Sequence, residues 1–407
     1  MREISGGVCA PKGFKAGGIW CGIKSGSRKR DLSLIYSERS CTAAAMFTTN
    51  RVKAAHILLD QEHIANGKLH AIITNSGNAN ACTGEAGLAA ARRMAELAAD
   101  EFALSPHDVA VCSTGVIGVP LPIAAIENSM GALASSLRGD ESGHSAALEA
   151  IMTTDTRLKY FSVEIELDGI PVRLGGMVKG SGMIHPNMAT MLCYITTDAA
   201  ISREILDKSL HKAVNRSFNR LTVDGDTSTN DTVIIMANAA SGALLIDSEN
   251  EHYRIFTQAL EDCCVKLARA MARDGEGAQR LISVTVNGAA DEHIAAIMAK
   301  SVAASSLVKT ACFGADANWG RILCALGYSG APFDPGQTKI SFKSAAGEIN
   351  VCACGEAISF SEEQAKKILL EEEIEILINI GAGNGCATAW GCDLSYDYVK
   401  INGDYRT

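Results

Sequence analysis

Short apolar runs typical of β-strands alternate with longer amphipathic segments along the whole chain, and this alternation restricts the fold to the α/β or α+β class. Residues 85–102 have apolar side chains at helical spacing and many alanines, so they predict a helix. Residues 160–179 alternate apolar and polar side chains on either side of Asp168 and Gly169, which predicts a β-hairpin. The remaining predicted strands are 69–74, 232–236, 281–286, 339–342, 349–354 and 374–380, and the remaining predicted helices are 202–218, 254–273, 292–307 and 361–370.

The composition excludes several classes of protein. A formal net charge of −9 and the lack of a long basic run argue against nucleic-acid binding. The longest apolar stretch, residues 233–246, is interrupted and too short to span a bilayer, and the N-terminus lacks the apolar run of a signal peptide. The 14 cysteines are scattered without a Cys-x-x-Cys pair, which favours reduced thiols over zinc or disulfide sites. We therefore expect a cytoplasmic protein that binds neither nucleic acid nor membrane.

Familiar nucleotide and hydrolase motifs are missing from the sequence. It contains no P-loop, no Gly-x-Ser-x-Gly elbow and no His-Glu-x-x-His. Residues 381–385, Gly-Ala-Gly-Asn-Gly, follow a predicted strand and resemble half of a dinucleotide-binding fingerprint, but Cys386 stands where that fingerprint has Gly or Ala. A Rossmann oxidoreductase is therefore only an alternative.

Four segments rich in Gly, Asn, Ser and Thr lie between apolar runs, where their backbone groups must find local hydrogen-bond partners. They are residues 74–84, 112–118, 175–192 and 224–231. A segment of this composition is usually only a turn, but four of them at strand ends favour loops that converge around a pocket. Just after Thr190 the third segment enters the apolar run 191–195, which is a further predicted strand.

The run Lys179-Gly-Ser-Gly-Met-Ile-His-Pro-Asn-Met-Ala-Thr190 resembles the self-cleavage segment of the ornithine acetyltransferase family, the ArgJ proteins of arginine biosynthesis. The other matching motifs are Asn75-Ser-Gly-Asn-Ala-Asn80, Ser113-Thr-Gly115, Asp224-Gly-Asp-Thr-Ser-Thr-Asn230, Arg273-Asp-Gly-Glu-Gly277, Gly314-Ala-Asp-Ala-Asn-Trp-Gly-Arg321 and Ile401-Asn-Gly-Asp-Tyr-Arg-Thr407. These motifs are long, and they cover nearly the whole chain.

The resemblance implies an α/β fold, a layered α/β/β/α sandwich of the ornithine acetyltransferase and self-processing aminopeptidase type, with N-terminal-nucleophile-like chemistry. It also implies cleavage between Ala189 and Thr190. The products would be an α chain, residues 1–189, and a β chain, residues 190–407, which stay associated because each alone has half a core. A heterotetramer of two α and two β chains is expected.

The chemistry of such a site depends on Thr190. A mid-chain threonine hydroxyl has no base of its own, but attack of Thr190 Oγ on the carbonyl of Ala189 gives an ester that water then cleaves. Thr190 becomes an N-terminus, and its α-amine, with an ordinary pKa of about 7.7–8.0, can take the hydroxyl proton. His185, five residues upstream, is not expected to be the base, because the family tolerates Ala at that position.

The implied reaction is a ping-pong acetyl transfer. N-acetylornithine acetylates Thr190 and ornithine leaves, after which glutamate takes the acetyl group. Some members of the family also accept acetyl-CoA as a donor, and no metal or bound cofactor is needed. Thr114 and Gly115 match the family's oxyanion pair, Lys179 its residue at the substrate carboxylate, and Glu276 its acidic partner.

The resemblance also implies a set of substrate contacts, and two further functions remain as alternatives. The expected substrate contacts are Thr154, Lys179, Thr190, Glu276, Asn402 and Thr407, with Thr153 as the alternative to Thr154. A related self-processing aminopeptidase would pass the acyl group to water, but its usual nucleophile is Ser, so Thr190 argues against it. A processed binding protein without turnover is the other alternative.

Overall fold

The computed structural model describes residues 1–24, 26–185 and 191–404. The strands in these ranges are β1 (Arg2–Glu3), β2 (Phe14–Ile19), β3 (Leu32–Phe47), β4 (Lys68–Asn78), β5 (Val109–Val116), β6 (Lys159–Leu167), β7 (Ile170–Lys179), β8 (Leu192–Thr197), β9 (Thr232–Ala237), β10 (Leu281–Ala289), β11 (Lys339–Ser344), β12 (Gly347–Ala353), β13 (Glu356–Ala357), β14 (Glu373–Asn379) and β15 (Gly385–Cys392). The α-helices are α1 (Ala55–His63), α2 (Gly84–Glu101), α3 (Ile123–Glu127), α4 (Met130–Ser135), α5 (Glu141–Ile151), α6 (Arg203–Arg216), α7 (Glu251–Arg273), α8 (Glu292–Ala304), α9 (Ser306–Phe313), α10 (Trp319–Gly327), α11 (Glu362–Leu369) and α12 (Tyr396–Asp404).

Strong local signals produce the elements that the sequence predicts. The hairpin β6–β7 turns at Asp168 and Gly169, which both adopt positive φ angles of 52° and 79°, as a two-residue turn between twisted strands requires. Helix α6 begins after Ser202, whose hydroxyl accepts the backbone N–H of Ile205 at 3.5 Å. Both predictions are confirmed.

Three predictions need correction. The single helix predicted over 292–307 is wrong, because Ser305 ends α8 and caps α9 by accepting the Val308 N–H. Helix α7 begins earlier than predicted, after Asn250, whose side chain caps it. Residues 381–385 lead from β14 into another strand rather than into a helix, so the helix N-terminus that binds a dinucleotide pyrophosphate is missing and the Rossmann alternative is wrong.

The larger sheet folds over on itself. Within the described residues it has nine strands, in the order β1-β6-β7-β8-β9-β3-β4-β5, with β2 paired to β3. The first half of β3 pairs with β2 and β4, and its second half pairs with β9. Thr74 on β4 and Tyr194 on β8 share a hydrogen bond of 2.8 Å, although two strands separate them and neighbouring strands lie about 4.8 Å apart. The two halves of the sheet therefore face each other.

Helices cover the outer faces of this folded sheet. Helices α6 and α7 pack against β6–β9 through an apolar core that includes Phe218 and Leu267. Helix α2 packs against β3–β5 through residues such as Met94. Between the two halves lies an inner core that contains Ile72 and Tyr194. These layers form the expected α/β/β/α sandwich, and this prediction is confirmed.

A smaller sheet adjoins the sandwich. Its six strands in the described ranges follow the order β13-β12-β11-β14-β10-β15, and helices α8 to α11 pack against one face. Leu281 and Trp390 join it to the core around α7. In the described part of the chain no single helix is long and apolar enough to cross a membrane, although α8 and α9, bent by 58°, pass that test as a pair.

The two pieces expected from cleavage both contribute strands to the larger sheet. Strands β8 and β9, from residues 190–407, lie between β7 and β3, from residues 1–189. Two complete hydrogen-bonded ladders, β7–β8 and β3–β9, thus join the pieces within one sheet. Separating the pieces would expose four strand edges together with the cores on both faces.

Candidate active site

A cavity of about 250 Å³ opens beside the ends of β5 and β7. Six residues that the sequence predicts for the site line it: Thr114, Gly115, Thr154, Lys179, Glu276 and Asn402. Ala189, Thr190 and Thr407, which the sequence also predicts, lie outside the described residues. The cavity therefore brings together every predicted site residue whose position is described.

All four polar segments reach this cavity. Each segment contributes at least one residue to the cavity walls, namely Ala79, Thr114, Ser181 and Asn230 in chain order. The Asn230 side chain ties three segments together, because its Nδ2 donates to the carbonyl oxygens of Ala79 and Ser113 at 2.7 and 2.8 Å. The prediction that these loops converge on a pocket is confirmed.

Several lining residues were not assigned by sequence reasoning. Ser181, Ser228, Thr229 and Asn230 contribute to the cavity walls although no individual role was predicted for them. The sequence pointed to these residues only through the polar composition of the segments that contain them. Composition identified the loops but could not indicate which side chains face the cavity.

The ammonium of Lys179 lies next to Thr114, which is one of the two candidate oxyanion donors. Its Nζ donates to Thr114 Oγ1 at 3.1 Å and to Thr153 Oγ1 at 2.8 Å, and the residue is only 3% exposed. Because an ammonium can only donate, the Thr114 oxygen accepts, and its own O–H proton remains for another acceptor. That proton can point at an oxyanion in the cavity.

Buried charges around Lys179 balance one another. Burial lowers the pKa of Lys179, the Asp155 carboxylate opposes this, and Lys159 lowers the pKa further. Burial alone raises the pKa of Asp155, but the Lys179 and Lys159 ammonium groups outweigh it and hold that pKa well below its usual range. Asp155 is therefore ionised at neutral pH, and it faces two ammonium groups.

Lys159 links the loops that carry the cavity residues. It pairs with Asp155 Oδ1 at 2.7 Å and also with Asp274, and all three side chains are almost completely buried. Asp155 accepts the Gly180 N–H at 2.7 Å, while Asp274 accepts the N–H of Thr156 at 3.1 Å. The network thus joins the loop after α5 to the end of α7, which precedes Glu276.

Lys159→Met should strongly destabilise the protein, because it leaves two buried carboxylates without their shared cation. Breaking a buried ion pair from one side costs about 3–5 kcal/mol. The matched control is Lys208→Met, which removes an exposed partner of Glu249 and should change stability little. The urea concentration at the midpoint of unfolding measures the stability of each variant. Equal midpoints for Lys159→Met and Lys208→Met would show that the buried network does not stabilise the fold.

Two glycines allow backbone and side chains to approach closely here. Gly115 has a φ of 134°, and a Cβ on it would lie 2.4 Å from the carbonyl carbon of Gly77. A Cβ on Gly182 would lie 2.3 Å from Glu276 Oε2. Any larger residue would therefore displace the backbone beside Gly115 or the side chain of Glu276.

Glu276 provides the carboxylate of the cavity. Its backbone N–H donates to the Ser181 carbonyl at 2.8 Å, and its Oε2 accepts from Asn402 Nδ2 at 2.9 Å. The C-terminal helix α12 thus places Asn402 against the acidic group. Among the described residues that line the cavity, Lys179 supplies an ammonium and Glu276 a carboxylate, which suits a ligand that bears both charges.

The contacts of Thr153 and Thr154 do not select one of them as the substrate contact. Thr153 accepts from Lys179, whereas Thr154 shares a 2.7 Å hydrogen bond with the Ser181 hydroxyl. Both line the cavity, so the choice of Thr154 remains a prediction.

His185 lies 3.0 Å from Thr222 Oγ1, and burial lowers its pKa to about 4, so its imidazole is neutral.

Comparison with known proteins assigns this arrangement to a family. The model of the ArgJ family matches residues 15–407. The chain belongs to the ArgJ family. The arginine biosynthesis bifunctional protein ArgJ of Caldanaerobacter subterraneus subsp. tengcongensis is 51% identical over 407 residues, covering 100% of both chains. The protein of the same name from Symbiobacterium thermophilum is 50% identical over 408 residues, again covering 100% of both.

A solved ArgJ structure is also similar. The arginine biosynthesis bifunctional protein argJ of Bacillus halodurans has 46% sequence identity and a TM-score of 0.50, and the match covers 52% of this chain and 98% of that one. The solved chain is therefore about half as long as this one. Membership of the ArgJ family favours an acetyltransferase over the self-processing aminopeptidase.

Proposed function

We propose that this ArgJ-family chain is a self-cleaving acetyltransferase of arginine biosynthesis, which moves the acetyl group of N2-acetylornithine to glutamate through an acyl-enzyme on Thr190. The observation that carries the proposal is the cavity in which Lys179 and the oxyanion candidates of residues 1–189 meet the Glu276 carboxylate of residues 190–407. The family match over residues 15–407 supports the same reaction.

Self-cleavage would create the nucleophile in its active form. Thr190 Oγ attacks the carbonyl carbon of Ala189, the hydroxyl proton moves to the nitrogen of Thr190, and the peptide C–N bond breaks. Water then hydrolyses the ester, which returns the hydroxyl to Thr190 and leaves a carboxylate on Ala189. The new α-amine, with an ordinary pKa of about 7.7–8.0, is a base suited to neutral pH.

Acetyl transfer would use the same hydroxyl twice. The α-amine takes the hydroxyl proton while Thr190 Oγ attacks the acetyl carbonyl, and ornithine leaves with that proton on its nitrogen. The amine of glutamate then attacks the acetyl ester and restores the free hydroxyl. In each step the carbonyl oxygen becomes negative, and the Thr114 hydroxyl and the Gly115 N–H would stabilise it.

The two charges of the cavity fit the two ends of N-acetylornithine. Its α-carboxylate is common to both substrates and would meet Lys179, whereas its side-chain ammonium would meet Glu276. Asn402, which already contacts Glu276, would help to close this end. Thr154 and Thr407 are the further contacts that we propose.

The assembly and setting follow from the same proposal. The cleaved pieces would remain together through the β7–β8 and β3–β9 ladders, and two α and two β chains would associate. The half-length ArgJ chain from Bacillus halodurans has the size expected of one piece. We place the enzyme in the cytoplasm, without a metal or bound cofactor, and propose acetyl-CoA as a second donor because the relatives are named bifunctional.

An assay with three donor and acceptor combinations tests the function. Purified protein with N-acetylornithine and glutamate should form ornithine and N-acetylglutamate, and acetyl-CoA with glutamate should also form N-acetylglutamate. Little ornithine should appear without glutamate. Release of free acetate at the same rate with and without glutamate would instead identify a hydrolase.

Glu276→Gln should slow acetylation by N-acetylornithine more than deacetylation by glutamate. Charge-assisted hydrogen bonds are worth roughly 1.5–3 kcal/mol, so we expect a roughly ten- to hundredfold loss in the first half-reaction. Rapid-quench measurement of acetyl-enzyme formation, and then of its decay with glutamate, separates the two. Glu249→Gln, at an exposed ion pair, is the control. Equal losses in both halves would remove this role from Glu276.

A further inference from the structure

A second cavity, of about 320 Å³, lies against the active-site cavity. Thr153 lines both cavities, so it forms part of the wall between them. The charged residues that line the second cavity are Lys24, Lys29, Arg30, Glu149 and Asp155. Apart from Asp155, none of these five has a role in the site described above.

Positive charge predominates in this second cavity. The Asp155 carboxylate is already paired with the buried ammonium of Lys159 at 2.7 Å, and Glu149 pairs with Arg30. These pairs leave the ammonium groups of Lys24 and Lys29 for a further anion. The local excess of cations contrasts with the formal net charge of −9 on the whole chain, and it favours an anionic ligand.

The backbone beside Lys24 is fixed by a buried carboxylate. Asp31 is fully buried and accepts the backbone N–H groups of residues 21–24 at 2.6–3.1 Å. Because four backbone donors share one carboxylate, this segment is held in a single conformation beside the cavity. The position of Lys24 is therefore built into the fold.

The side chain of Lys24 joins the two sides of the cavity. Its Nζ donates to the carbonyl oxygens of Arg30 and Met152, both at 2.8 Å. An ammonium has three N–H donors, so one remains for a ligand. Burial lowers the pKa of Lys24 to about 8, which still leaves most of it protonated at neutral pH.

We propose that this basic cavity binds the phosphate groups of a coenzyme A thioester, while the acetyl end of that donor enters the active-site cavity beside Thr153. Ammonium and guanidinium groups are the usual partners of phosphate oxygens in proteins. N-acetylornithine carries no phosphate, so it needs only the active-site cavity. The inference rests on the proposed use of acetyl-CoA as a second donor.

The chemical step with this donor parallels the one with N-acetylornithine. The nucleophile's hydroxyl oxygen forms a bond to the acetyl carbon, and the thioester C–S bond breaks. Coenzyme A then leaves as a thiol that carries the hydroxyl proton. The basic cavity takes no part in these bond changes, so its cations act on the binding of the donor.

Direct binding tests the cavity without turnover. The double variant Lys29→Gln/Arg30→Gln removes two lining cations, whereas Arg28→Gln, the matched control, removes an exposed cation of the same loop that does not line the cavity. Calorimetry with coenzyme A should show binding to the wild type, at least about tenfold weaker binding to the double variant, and a change of less than about twofold in Arg28→Gln. Lys29→Arg keeps the charge and should bind like the wild type.

Kinetics should show the same dependence on phosphate. In the double variant the KM for acetyl-CoA should rise at least about tenfold, because the donor loses charge-assisted hydrogen bonds. The reaction with N-acetylornithine should proceed as in the wild type. Acetyl-pantetheine has the thioester but no phosphate, so the double variant and the wild type should use it equally well.

The outcomes separate this inference from the proposed function. Equal affinities of the wild type and the double variant for coenzyme A would overturn the site, and inorganic pyrophosphate binding as tightly as coenzyme A would show a site for a free anion instead. A wild-type protein that uses N-acetylornithine but does not bind coenzyme A would overturn this inference alone. Binding of coenzyme A that depends on Lys29 and Arg30, without acetyl transfer from any donor, would support the site and refute the proposed function.

Discussion

Thr190→Ala should remain a single uncleaved chain of 407 residues and should show no acetyltransferase activity. Alanine lacks the hydroxyl that attacks Ala189, so the ester that water cleaves cannot form. The same change removes the group that would carry the acetyl. Both defects come from one oxygen atom, and losing a covalent nucleophile typically costs several orders of magnitude in rate.

A denaturing gel and N-terminal sequencing check this result. The wild-type protein should give two fragments, the smaller one beginning at Met1 and the larger one at Thr190. Thr190→Ser keeps a hydroxyl at the same position, so it should still cleave. A wild-type protein that remains intact and is nevertheless fully active would refute the role of cleavage.

Local sequence signals could predict the elements that local interactions form. The turn at Asp168 and Gly169 and the cap at Ser202 each depend on a few neighbouring residues, and both were predicted. The break at Ser305 was missed, because a serine inside an apolar helical pattern is compatible with a continuous helix as well as with a new cap. Helix boundaries depend on such competing local choices.

The strand order could not be predicted in the same way. The insertion of β8 and β9 between β7 and β3 depends on contacts between segments far apart in sequence. The second half of β3 pairs with β9 more than a hundred residues later, and no local pattern in either strand indicates that partner. The shared sheet, and with it the two ladders that would hold cleaved pieces together, therefore appears only in the structure.

Composition and resemblance predicted residues that line the cavity, but they did not predict its electrostatics. The resemblance assigned Lys179 to the substrate carboxylate, and the structure adds that this residue is buried and donates to two threonine hydroxyls. The buried network of Lys159 and Asp274 joins residues that are 115 positions apart. Burial and ion pairing are properties of the packed chain, so single-residue reasoning did not find this network.

Thr114→Ala should slow acetyl transfer by about 100- to 1,000-fold, the effect of about 2.7–4 kcal/mol that follows the loss of one oxyanion donor. The physical reason is the direction of the Thr114 hydroxyl. Lys179 donates to its oxygen at 3.1 Å, which leaves the hydroxyl proton for the oxyanion and places a positive charge directly behind it. Alanine removes the donor and separates that charge from the reacting oxygen.

For Thr114→Ala, which kinetic constant changes is as informative as how large the loss of rate is. An interaction made only in the transition state changes kcat and kcat/KM together, so the KM for N-acetylornithine should change little in Thr114→Ala. Self-cleavage should slow as well, because its tetrahedral intermediate carries the same negative oxygen. Thr114→Ser keeps the hydroxyl and should recover most of the rate. If only KM rises, Thr114 binds the ground state, and the ammonium of Lys179 then acts on the bound substrate rather than on the oxyanion.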